Sequence, residues 1–333
     1  MTSSLYRPIC DLLGCTHPIV LAGMGGVARS ELVAAVTEAG GFGFLGMVRE
    51  PVELIRTEVG KLRASNIERF GVNLIPAATP TDLLNAQVEA CIALKVPVVA
   101  LFWDLSTAVM RRLQEASITV VCQVGSAREA VAAFNAGANA IIAQGAEAGG
   151  HVRGNSPLEL LLPDVVAAVD CPVLAAGGIA DGKDVASVMA LGADGAVLGT
   201  ALLATHESFA HSYHKERLVA ANGDDVVRTD IFHINWPIGA DVRVLANSVT
   251  RGERGDPFAP DRRVIAEDDG HAIYLFSTDS PLRSMRGDFE AMALYAGSGV
   301  GRVNNVVPAG ERVRTIVDEA VHLLDPGSPK VSG

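Results

Sequence analysis

Short apolar runs recur along the chain, each closed by small or polar residues. They are PIVLA from Pro18, FGFL from Phe42, FGVNLI from Phe70, PVVAL from Pro97, ITVVCQ from Ile118, NAIIA from Asn139, PVLAA from Pro172 and GAVLG from Gly195. None alternates apolar with polar positions, the pattern expected of strands covered on both faces in a parallel sheet. Segments with apolar residues at three- and four-residue spacing lie between them. SELVAAVTEAGG from Ser30 ends on glycines, a helix stop, and TPTDLLNAQVEACIALK opens on Thr79, Pro80 and Thr81, a helix start. SAREAVAAFNAGA from Ser126 and DGKDVASVMALGA from Asp181 share one outline, a polar start, an apolar face and a glycine turn into the next strand. Repeated βα units predict an α/β protein, and eight of them predict a closed (β/α)8 TIM barrel over residues 1–205.

The regularity stops near His206. Residues 206–299 carry more charge, as in RGERGDPFAPDRR and AEDDGHA, and predict a smaller α+β region inserted after the eighth strand and lidding the barrel mouth. Residues 300–333 hold PAGERVRTIVDEAVHLL, an amphipathic helix opened by Pro308 that should pack back on the barrel, followed by a loose tail, DPGSPKVSG.

Composition fits this layout: among 333 residues, 49% are hydrophobic, 34 are glycine and only 5% aromatic, as suits a layered fold with tight turns at strand ends. The net charge of −11 argues against nucleic acid or an anionic membrane as partner, but leaves room for a local anion site. The five cysteines, Cys10, Cys15, Cys91, Cys122 and Cys171, form no C-x-x-C pair and read as isolated reduced thiols. The amino-terminal stretch lacks a charged segment followed by a long apolar one, and no apolar run is long enough to span a membrane. The expectation is a soluble, cytoplasmic protein.

Candidate chemistry gathers at the predicted strand exits. GMGGVA, Gly23 to Ala28, mimics a dinucleotide fingerprint, but the count of regular units argues for a barrel, where these glycines let backbone approach a flat ligand. Gly177 and Gly178 follow the seventh strand, and Gly199 and Thr200 the eighth. Loops at these two places often hold a phosphate, through glycine N–H groups and a short helix. Asn73, Gln123 and Gln144 put three amides at one mouth, enough for a heterocycle with alternating donors and acceptors, although each could also serve its own loop. His151, flanked by Gly149 and Gly150 in AQGAEAGGH, can exchange a proton near neutral pH and is the candidate catalytic group. Glu147 reads as a loop brace. His206, His211 and His214 read as a surface helix, with no metal site. Trp103 either walls a pocket or packs the core, and YAGSGVG from Tyr295 is glycine-rich enough to meet a ligand but has no strand context.

Taken together, PIVLAGMGGV, GVNL, AQGAEAGGH, PVLAAGGIADG and LGTALLAT, with WPIGADVRVLANS and LYAGSGVG further on, resemble the nitronate monooxygenases, formerly called 2-nitropropane dioxygenases. The resemblance implies a TIM barrel binding FMN non-covalently. It implies that Ala22, Gly23 and Met24 line the flavin ring, that Asn73, Gln123 and Gln144 touch the ring or ribityl chain, and that Gly150, beside Gly149, lies against it. It assigns the phosphate to Gly177, Gly178, Gly199 and Thr200, and the catalytic role to His151. The implied reaction is oxidation of alkyl nitronates or nitroalkanes by O2 to a carbonyl compound and nitrite. FWDLS after the fourth strand departs from members that carry a histidine or Gly-Asp-Pro there, which leaves the substrate open. The same core motifs occur in flavin-dependent enoyl-acyl-carrier-protein reductases and NAD(P)H:quinone reductases. A flavin-free lyase or synthase gripping a substrate phosphate is a further alternative, as is a binding module without turnover. The expected partners are a small-molecule substrate and O2; a homodimer is left open.

Overall fold

A computed structural model describes residues 5–237, 239–260 and 262–325. Eight parallel strands close into a barrel: β1 (Ile19–Leu21), β2 (Phe42–Gly46), β3 (Gly71–Leu74), β4 (Val98–Leu101), β5 (Thr119–Val124), β6 (Ala140–Gln144), β7 (Val173–Ala176) and β8 (Gly195–Leu198). The ring shuts where β1 pairs with β8, Val20 opposite Val197. All eight coincide with the apolar runs, because each strand is apolar on both faces. Val20, Phe42, Phe44, Val121, Leu174 and Val197 fill the barrel interior, while their neighbours Ile19, Leu21, Leu45, Val120 and Leu198 pack outward against the helices. Phe44 needs room that only glycine leaves on the adjacent strand: a Cβ on Gly71 would lie 2.2 Å from the Phe44 ring. The helix Pro8–Leu13 stops the barrel's lower end with Ile9, Cys10 and Leu13.

The segment after β8 forms two small antiparallel sheets. One pairs Val226–Thr229 with Val242–Leu245, and the other joins Val264–Asp268 to His271–Tyr274 and Arg286–Gly287. The first sheet takes its third strand from the barrel: Gly150 pairs with Arg243 and His151 with Val242. The loop after β6 is thus sewn into the smaller region, an exchange across the predicted boundary that periodicity does not reveal. The helix Ala309–Leu324 follows Pro308 and packs on the helices Gly182–Ala190 and Ser30–Glu38. Most of the expected loose tail, residues 326–333, lies outside the described residues. Among the described residues, no helix is long and apolar enough to cross a membrane.

Two expectations change. Cys10 and Cys15 are not isolated: their thiols hydrogen-bond at the barrel base, which draws Cys10 down, and all five cysteines are free. His214 does not face solvent. It sits fully buried in the helix Ser212–Val219, 3.1 Å from the Tyr295 carbonyl, while His211 caps that helix by accepting the Tyr213 N–H. The stretch reads in sequence as a surface helix, whereas the segment carrying Tyr295 covers it. Burial lowers the His214 pKa to about 4, against the opposing pull of the Tyr295 carbonyl. The unfolded ring takes a proton as pH falls through 6.5, and the folded one does not until about 4. Stability is therefore full above pH 6.5 and lost across that window, by about 3 kcal/mol for this ring alone. Urea unfolding at pH 7 and at pH 4.5 should show this drop, and His214→Gln should flatten it.

Candidate active site

The strand exits converge on one cavity of about 400 Å³, within the range of small-molecule sites. Every residue singled out above for cofactor or catalysis lines it, from Ala22, Gly23 and Met24 at β1 to Gly199 and Thr200 at β8. At the β1 exit, the Ala22 N–H donates to the Leu198 carbonyl, and the backbone then crosses Asn73 so closely that a Cβ on Gly23 would lie 2.2 Å from the Asn73 Cβ. Glycine at position 23 is thus required by the protein itself.

At the seventh and eighth exits the two glycine loops come together. Gly177 and Gly178 have φ of +115° and +71°, which glycine alone adopts readily. Asp181 caps the following helix by accepting the Asp184 N–H at 2.9 Å. A third loop, the YAGSGVG stretch that had no strand context in the sequence, completes the corner. The Gly297 N–H donates to the Thr200 hydroxyl at 2.9 Å, the Ser298 N–H to the Glu147 carbonyl at 3.0 Å, and Arg302 donates to the Gly178 carbonyl at 2.8 Å while pairing with Asp181 and Asp184. Gly297 and Gly299 line the cavity. The glycines of YAGSGVG were the only sequence signal for this loop, and nothing in the βα repeat assigned it to the mouth.

The loop after β6 is held rigidly. Glu147 accepts the Leu158 N–H at the start of the next helix, the brace expected of it. Gln144 closes β6 rather than following it, and both ends of its amide serve this loop. Its Nε2 donates to the His151 carbonyl and its Oε1 accepts the Arg153 N–H, each at 2.9 Å. Arg243 donates to the Ala146 carbonyl at 2.7 Å. The result is a fixed His151. Its ring stacks on Trp236 with centroids 3.3 Å apart and planes 20° from parallel, with Tyr295 at 5.7 Å and Trp103 at 6.1 Å. Nε2 of His151 is buried with no hydrogen-bond partner among the described residues. Burial lowers the ring's pKa well below the usual histidine value, and the charge of Arg49 pushes the same way. The imidazole is neutral at pH 7, a proton acceptor or a neutral donor but no cation.

Arg49, on the loop after β2, supplies the positive charge. It has φ of +56° and binds the smaller region by donating to the Asn235 carbonyl at 2.5 Å and pairing with Asp279 at 3.3 Å. Arg49 carried no sequence signal although it follows a barrel strand, and Trp236, which opens WPIGADVRVLANS, carried one only through the family resemblance and none that placed it beside His151. Glu50, also on the cavity wall, has its pKa raised by burial, with Arg29 opposing from 3.4 Å.

The cavity also has the form of a cradle. A Cβ on Gly150 would meet no atom within 4 Å, and one on Gly199 would meet only the Met24 sulfur at 3.9 Å. Backbone is thus bare toward open space at both, as close approach by a ligand requires.

A closed parallel barrel that brings glycine loops at its seventh and eighth exits and a half-buried histidine to one cavity fits an oxidoreductase of the flavin type. The profile of the nitronate monooxygenase family matches residues 7–319. The chain belongs to the nitronate monooxygenase family. A solved structure of FabK from Thermotoga maritima is similar with a TM-score of 0.82 at 29% identity, covering 96% of this chain and 97% of that one. Nitroalkane oxidase from Streptomyces ansochromogenes gives a TM-score of 0.78 at 31% identity, covering 96% and 99%. In sequence, 229 residues are 36% identical to (3aS,4S,5R,7aS)-5-hydroxy-7a-methyl-1-oxo-octahydro-1H-indene-4-carboxyl-CoA dehydrogenase of Mycobacterium tuberculosis. That match takes in 68% of this chain but only 63% of the relative's length.

Proposed function

We propose that the protein oxidises alkyl nitronates, or the parent nitroalkanes, with O2 and FMN, releasing a carbonyl compound and nitrite. The observation that carries this reading is the neutral His151 ring, its Nε2 unpartnered, on the same cavity as the glycine cradle. FMN fits the residues present. The bare backbone at Gly150 and Gly199 admits a flat ring and a phosphoryl group, and Gly177, Gly178 and Thr200 stand where the phosphoryl group would bind. Ala22, Gly23, Met24, Asn73, Gln123 and Gly149 would line the rest. When bound, FMN supplies the two-electron acceptor that O2 turns over.

The chain's own residues handle the proton and the charge. A neutral imidazole beside a nitroalkane removes the acidic proton next to the nitro group at Nε2. With a preformed nitronate, the same nitrogen in its N–H tautomer donates a hydrogen bond to the anion. Arg49 provides the long-range positive field, while Trp236 and Trp103 keep water from the imidazole. Gln144 fixes the backbone that carries the ring, through the His151 carbonyl.

The test is the visible spectrum of purified protein, followed by substrate additions without air. A yellow protein bleached by ethyl nitronate and indifferent to NADH is the expected result. Rapid bleaching by NADH would move the assignment to an NAD(P)H-dependent quinone or enoyl-thioester reductase. Protein that stays colourless after soaking in FMN would favour the flavin-free lyase.

A further inference from the structure

A second, smaller cavity of about 120 Å³ lies between the exits of β4 and β5 and the helix Ala127–Asn135. Phe102 and Gln123 line both cavities, so the two are adjacent. Leu101, Cys122, Val124 and Ala133 give the smaller one apolar walls. Its charged lining is already engaged: Arg153 pairs with Glu129 at 2.9 Å and stands 3.9 Å from Asp104.

Trp103 is the boundary between this cavity and His151. Its ring meets Phe102 and Trp236 edge-on, each at 5.5 Å, and the Arg153 guanidinium lies over it at 5.1 Å. Its backbone φ is +83°, a left-handed conformation that is an outlier for a bulky residue and persists only where surroundings impose it. The chain is thus held so as to place this ring beside the imidazole.

We infer that the smaller cavity is the subsite for the substrate's alkyl tail, with Trp103 as the partition that turns aside to admit it. The chemistry of the head group rests on the functional reading above; the subsite does not. A molecule whose reacting carbon lies beside His151 must direct its tail somewhere. Toward the smaller region Ile273, Leu282 and Met285 are interspersed with Arg49, Glu50, Asp268 and Asp279, so a tail there would also desolvate charged groups. Between Phe102 and Gln123 it meets apolar side chains instead. The volume is a little under the roughly 150 Å³ that accepts benzene, room for a chain of about three or four carbons.

Straight-chain carboxylates from acetate to heptanoate share the planar, anionic head of a nitronate and undergo no redox chemistry, so they probe the subsite without turnover. Titrated against the flavin-loaded protein and followed by tryptophan fluorescence, to which only Trp103 and Trp236 contribute, they should bind about fourfold tighter per added methylene for three or four carbons and then level off. Ala133→Leu fills the cavity and should flatten the series, and Ala132→Leu, at an exposed helix position of the same lining, does so with little risk to folding. Trp103→Ala should carry the gain to longer acids. Equal affinity for all the acids in the parent, or a slope unchanged in both alanine-to-leucine variants, overturns the subsite. Protein that shows the slope yet leaves nitronates untouched keeps the subsite and sinks the functional reading.

Discussion

His151→Ala is expected to lower kcat/KM for a neutral nitroalkane by about two to four orders of magnitude while FMN stays bound, the range a positioned general base supplies. That corresponds to roughly 3–5 kcal/mol of transition-state stabilisation. The cofactor should remain because the cradle is backbone at Gly177, Gly178 and Gly199, and none of it depends on the imidazole. Added imidazole should restore part of the rate, since removing the ring leaves a slot beside Trp236 of its own size. The pH profile gives an independent check. With the folded pKa pushed well below the usual value by burial and then by Arg49, the ring is already a free base at pH 6.5, so the parent's rate should show no inflection there and fall only at lower pH. Parent-like turnover by the alanine variant, or a rate rising through pH 7 with the titration of a single histidine, would remove His151 from the mechanism.

How much of this was readable in the chain follows from the distances involved. The barrel was legible because each strand must be apolar on both faces, so its signal is contained within four to six consecutive residues. The candidate residues at the exits were legible for the same reason, since each sits within a few positions of a strand that the pattern locates. Gln144 shows the limit of that logic. Its position was readable, but the partner of its amide was settled by how the following loop folds back, and both ends went to the backbone of His151 and Arg153.

Of the aromatic wall only Trp103 was legible, as a residue that either walls a pocket or packs the core; its meeting with Trp236 was not. Trp236 lies far along the chain from His151 and meets it only because Gly150 and His151 pair with the strand Val242–Leu245. No local period encodes a two-residue strand joining a sheet built from a later segment. Arg302 escaped in the same way, and the glycines around Gly297 were noticed without a place, since hydrogen bonds to Gly178 and Thr200 across the molecule fix both. These long-range contacts also explain why the smaller region cannot be separated cleanly from the barrel. The loop bearing the imidazole belongs to both.

The cradle and the packing around it can be separated by two glycine substitutions with opposite expectations. Gly199→Val should reduce FMN affinity by roughly a hundredfold or more, since its side chain enters space where a Cβ meets only the Met24 sulfur at 3.9 Å. Losing two charge-assisted hydrogen bonds to a phosphoryl group, each worth about 1.5–3 kcal/mol, gives that magnitude. Unfolding of the flavin-free variant should stay within about 1 kcal/mol of the parent, because the added Cβ meets no protein atom closer than the Met24 sulfur. Gly149→Ala should behave differently. Its Cβ would lie 2.5 Å from the Gly297 nitrogen and 2.6 Å from the Ala296 carbonyl carbon, both backbone, so the loop carrying His151 and the loop carrying Tyr295 must part. That variant should lose stability with or without flavin. Titration of each flavin-free protein with FMN, followed by quenching of flavin fluorescence, and urea unfolding of the same samples distinguish the two. If Gly199→Val bound FMN as the parent does, the eighth strand exit would not be where the phosphoryl group rests.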